Sequence, residues 1–577
     1  MYIERVPNRN SPPCVLLRES YRDNGKVKKR TICNLSAWPA KIVDGLKTLL
    51  RGGVAIENPE ACFDVVRSLP HGHVKAVMGT LKKLKLDALI ERGDSTEKRM
   101  AIAMIASRIL NPRSKLATVR GFRNETAVST LGEECGLPAD DIDEYDLYRA
   151  MDWLLERQPS IEKRLAKRHL EDGTLVLYDL TSTYFEGKTC PLAKRGHNRD
   201  KKKGKLQIEV GLLCDRDGRP VAVEVFEGNM GDPSTVSAQL DKLRGRFKLS
   251  RVVVVGDRGM LTEARIREEF KTADGLDWIT ALRGPSIKKL VENEHLQLSL
   301  FDQRDLAEIT SPDYPGERLV VCRNPQLAME RAVKREELLK ATEKQLDDIQ
   351  RATLRKTRRL KGKDQIGVKV GKIIDKYKMA KHFSVTISDD GLQYERKSEN
   401  IEKEALLDGF YVVGTSVDQE VLKDDKVVET YKRLSVVERA FRSIKTVDLK
   451  IRPIHHRLAK RVRSHVFICF LAYYVEWHMR EALAPILFDD ENKEEANGSR
   501  GSVVAPAERS ESAKRKDATK RNAEGLPVHS FQTLLEDLST IVKSAVKPRI
   551  KGAPSFDKTT QPTPIQKKAL ELLSVKI

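Results

Sequence analysis

Thr174-Leu-Val-Leu-Tyr-Asp-Leu-Thr-Ser182 is an apolar β-type run with one carboxylate, Asp179, in its middle. A second run of the same kind, Val252-Val-Val-Val-Gly-Asp-Arg-Gly-Met260, ends on another acid, Asp257. Both runs read as buried strands, bounded by turn residues and rich in β-branched side chains. Burying an unpaired carboxylate costs several kcal/mol, so two acids on such strands call for a shared partner able to hold both. A divalent metal meets that need best. The bland alternatives are a Lys or Arg beside Asp179, and for Asp257 an ordinary turn acid next to Arg258.

The charge balance indicates what such a site would act on. Lys and Arg number 105 against 84 Asp and Glu, a net charge of +21 over 577 residues. That excess gives a sequence-independent pull on phosphate backbones, which points to nucleic acid as the partner. The eight cysteines include no C-x-x-C pair, and no His spacing resembles a zinc site, so reduced structural thiols in a cytosolic protein are expected. The N-terminus lacks a signal-peptide layout and the most apolar stretch, 466–475, is too short to span a bilayer, so no membrane partner is expected.

Along the chain, residues 1–55 read as a β-rich arm, with Val15-Leu-Leu and Thr31-Ile-Cys flanking the turn Arg22-Asp-Asn-Gly25. Residues 56–170 carry apolar positions at helical spacing and read as a helical DNA-binding domain. Strands follow at 174–181, 206–213 and 220–226, the last two joined by Asp215-Arg-Asp-Gly218, so these three should pair antiparallel. A helix begins near Asp232-Pro233, with Asp232 as N-cap, before the Val252 strand returns. Three strands, a helix and a fourth strand is the RNase H-like order. Residues 171–285 and 427–486 are therefore expected to form a core of the α/β class, a mixed sheet with flanking helices.

An α+β insertion domain, 286–426, should interrupt that core, with a long charged helix over 328–360 whose apolar stripe is Met329, Val333, Leu339, Leu346 and Ile349. The run 466–475 is apolar on all faces, as a helix inside a core would be. Residues 487–527 are polar and predict a disordered linker before a helical tail over 528–577.

If Asp179 and Asp257 are metal ligands, a third acid should come from the helical segment that returns to the same sheet. Glu438 is the best candidate, because Tyr431, Glu438 and Lys445 are spaced seven apart. Seven residues is close to two helical turns, so the three share one stripe with about 20° of drift per step. Arg442, four residues past Glu438, falls on it too.

These residues resemble, in order, the motifs of insertion-sequence DDE transposases of the bacterial group marked by Y-x-x-R-x-x-x-E-x-x-x-x-x-x-K. Tyr178-Asp179-Leu-Thr-Ser-Thr183 is similar to the first-acid strand, Phe226-Glu-Gly-Asn-Met-Gly-Asp232 to the F-x-G-N-x-x-D loop, and Val255-Gly-Asp257-Arg-Gly-Met260 to the second-acid strand end. Tyr431, Glu438 and Lys445 fall on the last motif. One departure stands at 434, where Leu434 replaces the motif Arg, with Arg433 beside it. A shift of one residue turns a side chain by about 100° on a helix, so Arg433 is no direct substitute, and Arg442 could supply the charge instead.

The resemblance implies a transposase that cleaves element ends bearing terminal inverted repeats and joins the freed 3′-OH to target DNA. Asp179, Asp257 and Glu438 would be the catalytic metal ligands, with Asp179 bridging two Mg²⁺ ions about 4 Å apart and Mn²⁺ able to substitute. Tyr431 would stack on a flipped or distorted base, and Lys445 would contact a backbone phosphate. Arg199, Lys201, Lys202 and Lys203, in the basic run directly after the first-acid strand, would lie beside bound double-stranded DNA, as would Arg433 and Arg442. A homodimer bridging two ends is implied, as is a bacterial, cytoplasmic, nucleoid-associated setting. Two other functions compete: an RNase H-like nuclease that cuts without joining, and a domesticated DNA-binding protein retaining the fold.

Overall fold

The computed structural model describes all residues except 10, 54–61, 139, 198, 201, 203, 297–304, 499–501, 506, 507 and 550–552. The chain forms two compact units, Met1–Leu69 with Val542–Thr560, and Pro70–Ile541 with Gln561–Ile577. In the first unit the strands Tyr2–Val6, Cys14–Asp23 and Lys26–Asn34 pair antiparallel in sequence. Asn24 and Gly25 both take positive φ between the last two, the conformation that favours an Asn-Gly hairpin turn. A second sheet of this unit joins Phe63–Pro70, Val542–Pro548 and Phe556–Thr559. The tail expected to be helical therefore contributes two strands, between the helices Phe531–Ser539 and Pro564–Leu573. The partner of Val542–Pro548 comes from the far end of the sequence, which no local pattern announces.

The second unit is built on an eight-stranded sheet of β1 Thr174–Tyr184, β2 Gln207–Asp215, β3 Pro220–Glu227, β4 Val252–Gly256, β5 Leu276–Ala281, β6 Leu306–Ile309, β7 Arg318–Arg323 and β8 Phe410–Thr415. Their spatial order is β6-β7-β8-β5-β4-β1-β2-β3. The first three pair antiparallel, whereas β1, β4 and β5 run parallel. The valines of β4 lie in the middle of this sheet, buried at all but one position. Strands β6, β7 and β8 were expected inside a separate insertion, but they extend this same sheet through antiparallel pairing of β8 with β5.

Among the helices that precede the sheet in sequence, the longer ones are α1 Gly72–Lys83, α2 Thr96–Leu110 and α3 Glu144–His169, the last opened by a reciprocal capping box between Asp143 and Asp146. Between β7 and β8 come α4 Pro325–Thr353 and α5 Lys363–Tyr377, which with the ribbon Phe383–Ile387 and Leu392–Arg396 enclose their own apolar cluster around Leu339, Leu346, Ile366 and Phe383. Met329 and Val333, expected on the buried stripe of α4, are 69% and 55% exposed, because only the later turns of the helix meet that cluster. The helix also ends at Thr353, so the basic run 355–363 lies beyond it.

After β8 come α6 Asp424–Lys432, α7 Leu434–Arg442 and α8 Ala459–Leu483. The centre of α8 is buried all round, and such a surface needs partners on every side. It finds them in α1, α2 and α3 and in β3, so the helices of 72–169 share one core with the sheet rather than forming a core of their own. The stretch 487–527, whose composition predicts disorder, carries the helix Glu511–Thr519. Its Lys516, 1% exposed, donates to the carbonyls of Ala484 and Asp489 at 2.8 and 2.7 Å and pairs with Glu491.

Candidate active site

The parallel register of β1 and β4 pairs Tyr178 with Gly256. The next residue on each chain is an acid, so Asp179, in the middle of β1, and Asp257, just past the carboxyl end of β4, stand level on two adjacent strands. Asp179 is half-buried and its Oδ1 accepts from the Leu180 amide at 2.8 Å. Burial pushes its carboxyl up to about 7, against the Leu180 bond and the Arg199 charge, and both Glu438 and Asp257 add to the rise. Asp257, just past its strand, is exposed rather than buried as its run suggested, because the chain turns at once, with its carbonyl accepting from Met260 and Leu261.

Glu438 sits exposed on α7, which packs on β1 and brings the third acid back to the first. Tyr431, at the end of α6, feels Asp257, Glu438 and Asp179 together, and burial with these acids pushes its phenol up to about 12. Lys445 lies on the wide turn Ser443–Val447 that continues α7. Its ammonium donates to Ser182 O at 2.6 Å and Thr181 Oγ1 at 3.2 Å, on β1 just beyond Asp179. Lys445 thus contacts β1 just beyond Asp179, while Tyr431 and Glu438 are within electrostatic reach of that acid. Among the described residues, however, no three His, Cys, Asp or Glu side chains stand close enough to ligate one ion together.

The remaining expected residues separate. Arg199 enters the site: its backbone amide donates to Ser182 Oγ at 3.0 Å, its guanidinium to Leu180 O, and it pairs with Asp232 at 2.5 Å. Asp232 is the first residue of a tight turn and makes no cap bond, so the expected N-cap is replaced by this ion pair. A Cβ at Gly259 would lie 3.5 Å from Oδ2 of both Asp232 and Asp257, which places these two acids around one spot. Arg433 points elsewhere, to Glu429 at 3.1 Å and the Arg216 carbonyl at 3.3 Å. Arg442 and Lys202 are exposed, and Lys201 and Lys203 lie outside the described residues.

Three neighbours escaped the sequence reading. Asp200 pairs with Lys445 and with Arg452, each at 2.9 Å, so one carboxylate neutralises two cations beside the acids. Burial pushes the Lys445 ammonium down, against the pull of Asp200. Glu209, 4% exposed, lies in the apolar run of β2, accepts from Gln207 Nε2 at 2.7 Å, and is pushed up to about 8 by burial. An acid inside an apolar strand is the signal that singled out Asp179, and it was equally present here. Asp200 and Arg452 carried none, since both sit in polar loops.

The donor set suits a hard divalent cation. Asp257 and Glu438 both oppose ionisation of Asp179, and a half-buried carboxylate held against its neighbours in this way is what such an ion neutralises.

The family model described as a transposase DDE domain matches residues 171–475, and one described as the N-terminal domain of IS1634 family transposases matches residues 3–60. No curated protein matches the chain. Among solved structures, the cryo-EM structure of a piggyBac transposase synaptic complex with hairpin DNA is similar at 10% identity and a TM-score of 0.35, over 81% of this chain and 76% of that one.

Proposed function

The chain belongs to the transposase DDE-domain family and is a DNA transposase, an enzyme that cleaves DNA and transfers strands with divalent metal, and on that premise we propose that Asp179, Asp257 and Glu438 are its metal ligands. The observation that carries this is the register of β1 and β4, which sets Asp179 and Asp257 level, with α7 returning Glu438 to them. The strand order supports an RNase H-like core, with the segment from α4 to the Phe383–Arg396 ribbon as an insertion between its strands and its last acid. Mg²⁺ fits the oxygen donors, and a pair of such ions would supply an activated attacking oxygen and a stabilised leaving oxygen.

The chain's own groups do the rest. Asp179, whose ionisation both other acids oppose, would be the ligand the two ions share. Tyr431 offers a ring beside the acids, neutral at physiological pH, on which an unpaired base can stack. Lys445 and Arg452 offer cations for the phosphate next to the scissile one. Arg442, exposed on the stripe after Glu438, takes the place of the motif Arg that Leu434 lacks. A homodimer holding two ends, in a bacterial nucleoid, completes the proposal.

The test is purified protein with its element ends, a target duplex and Mg²⁺, scored separately for cut ends and joined products. Both products are expected; cutting without joining would favour a nuclease, and neither product with DNA still bound would favour a domesticated binder.

A prediction follows from Asp200. Any DNA phosphate reaching Lys445 and Arg452 must displace this carboxylate, so Asp200→Asn should bind duplex DNA several-fold tighter and with steeper salt dependence. Fluorescence anisotropy titrations across salt concentrations measure both, and unchanged curves would show that Asp200 does not compete with DNA.

A further inference from the structure

In the first unit the strand Lys26–Asn34 serves no core: all nine of its residues are exposed, Val27 at 65%. Its partner Cys14–Asp23 is held on the other side by Tyr2–Val6, but that pairing ends at Arg18, opposite Tyr2. From Glu19 to Arg30 the pair runs on, among the described residues, as a two-stranded ribbon that turns at Asn24-Gly25. Ser20, Tyr21 and Arg22 on its first strand are exposed as well. The register shifts between Leu17 and Arg18, where the third strand stops, and an irregularity at that root bends a ribbon and tightens its right-handed twist. A two-stranded hairpin alone is marginal in water, so a projecting ribbon of this kind is explained by what it meets rather than by what it stabilises.

Its side chains indicate the partner. The ribbon carries five cations, Arg22, Lys26, Lys28, Lys29 and Arg30, against two acids. Lys28 pairs with Asp23 and Arg30 with Glu19, each at 2.6 Å, and Lys29 reaches back to Glu4 at 3.2 Å. Exposed pairs of this kind are weak and open readily to a phosphate. Arg22 and Lys26, on either side of the turn, have no ion pair among the described residues. Arg22 stands opposite Val27, the neighbour of Lys26, so the two free cations lie on opposite faces of the ribbon.

A ribbon with side chains on both faces is a body about 10 Å thick. The major groove of B-DNA, about 12 Å wide, admits it, whereas the minor groove, about 6 Å wide, does not. A tip inserted there has a phosphate backbone on each side, and Arg22 and Lys26 offer one cation to each. We propose, on the reading that the chain acts on DNA, that the ribbon Glu19–Arg30 docks in the major groove of duplex DNA, with Arg22 and Lys26 as its phosphate contacts. The test is the full-length protein carrying Arg22→Ala and Lys26→Ala together, titrated against an element-end duplex across salt concentrations. A control, Lys369→Ala with Lys372→Ala, removes the same charge from exposed positions of α5. The ribbon variant should lose about tenfold in affinity at moderate salt, and its slope of log affinity against log salt should flatten by about 2. The control should stay within about twofold of wild type, because two charges out of a net +21 change the general pull little. Dimethyl sulfate, which methylates guanine N7 in the major groove, should find guanines protected at saturating wild-type protein. Melting temperatures should not change, since both ribbon side chains are exposed and unpaired.

A ribbon variant that binds as the wild type does would overturn the docking alone, and so would an equal loss in the control or a lower melting temperature of the ribbon variant. Guanine N7 left open under bound wild-type protein would rule out the major groove and overturn it too. A ribbon variant that binds DNA fully but self-associates in sedimentation would make these cations guards of an open strand edge, against the proposal. Wild-type protein that binds no duplex would overturn the functional reading and the ribbon with it.

Discussion

Replacing Asp179 by Asn is expected to lower end cleavage and strand joining together by about a thousandfold or more, while the melting temperature holds or rises. The loss follows from its proposed role as a metal ligand: without this carboxylate the site forfeits several kcal/mol of charge stabilisation in the transition state, and each 1.36 kcal/mol is about tenfold in rate. The gain in stability follows from the same position. Asp179 is desolvated and lies near Asp257 and Glu438, both of which oppose its ionisation. Asn keeps the shape and one acceptor for the Leu180 amide while removing the charge. A carboxylate retained for structure behaves oppositely, because its removal leaves a cation unpaired. Assays of both products, with a melting curve on the same preparation, separate the two. Retained cleavage would sink the ligand assignment, and lost cleavage with a fall in melting temperature would leave Asp179 a structural acid.

How much of this was legible in the sequence depends on how local each cause is. The strand runs around Asp179 and Asp257 and the hairpin turn at Asp215-Arg-Asp-Gly218 are local patterns, and each appears in the structure where the pattern sets it; the seven-residue spacing of Tyr431, Glu438 and Lys445 predicts one helical stripe, whereas the structure divides them among Asp424–Lys432, Leu434–Arg442 and the turn Ser443–Val447. The reach of the sheet through β6, β7 and β8 depends on one antiparallel pairing of β8 with β5, which leaves no mark in either segment. The same holds for one edge of Val542–Pro548, which pairs with Phe63–Pro70 near the other terminus as well as with the local strand Phe556–Thr559. In the site, ordinary loop residues were invisible: Asp200 matters because the fold returns it to Lys445 and Arg452. Arg433, adjacent to the motif position, turns to the β2–β3 hairpin, as a change of about 100° on a helix demands. Periodicity failed for the start of α4, where Met329 and Val333 are exposed rather than on the buried stripe.

The segment bearing Lys445 is held by a buried charge group, and Arg480→Ala should be the most destabilising single change in this region, by about 3–5 kcal/mol. Glu476, 0% exposed, accepts from Ser443 Oγ at 2.9 Å with both oxygens, which fixes the start of the turn that carries Lys445. Arg480 pairs with Glu476 at 2.7 Å and with Asp448, itself 2% exposed, at 2.8 Å. Removing the guanidinium leaves two buried acids without their cation, as well as losing its stacking on Phe531.

The pH dependence has a definite sign. Burial already pushes Glu476 up to about 8, against Arg480 and Ser443, from an ordinary value of 4.5. The folded state therefore keeps a proton that the unfolded state releases, and stability falls as pH rises between those two values. Without Arg480 the acid rises further, so the deficit of the variant should be largest at pH 8 and above and shrink towards about pH 5. Arg480→Ala combined with Glu476→Gln and Asp448→Asn should recover much of the loss, since the uncompensated charges go with it. Thermal melts across that pH range measure each term, and a deficit below about 1 kcal/mol at pH 8 would reduce the group to the worth of a surface pair. Because Ser443 would lose its fixed acceptor, DNA affinity of the still-folded variant at low pH should fall with the Lys445 contact, which ties the stability of α8 to the cation it positions at the end of β1.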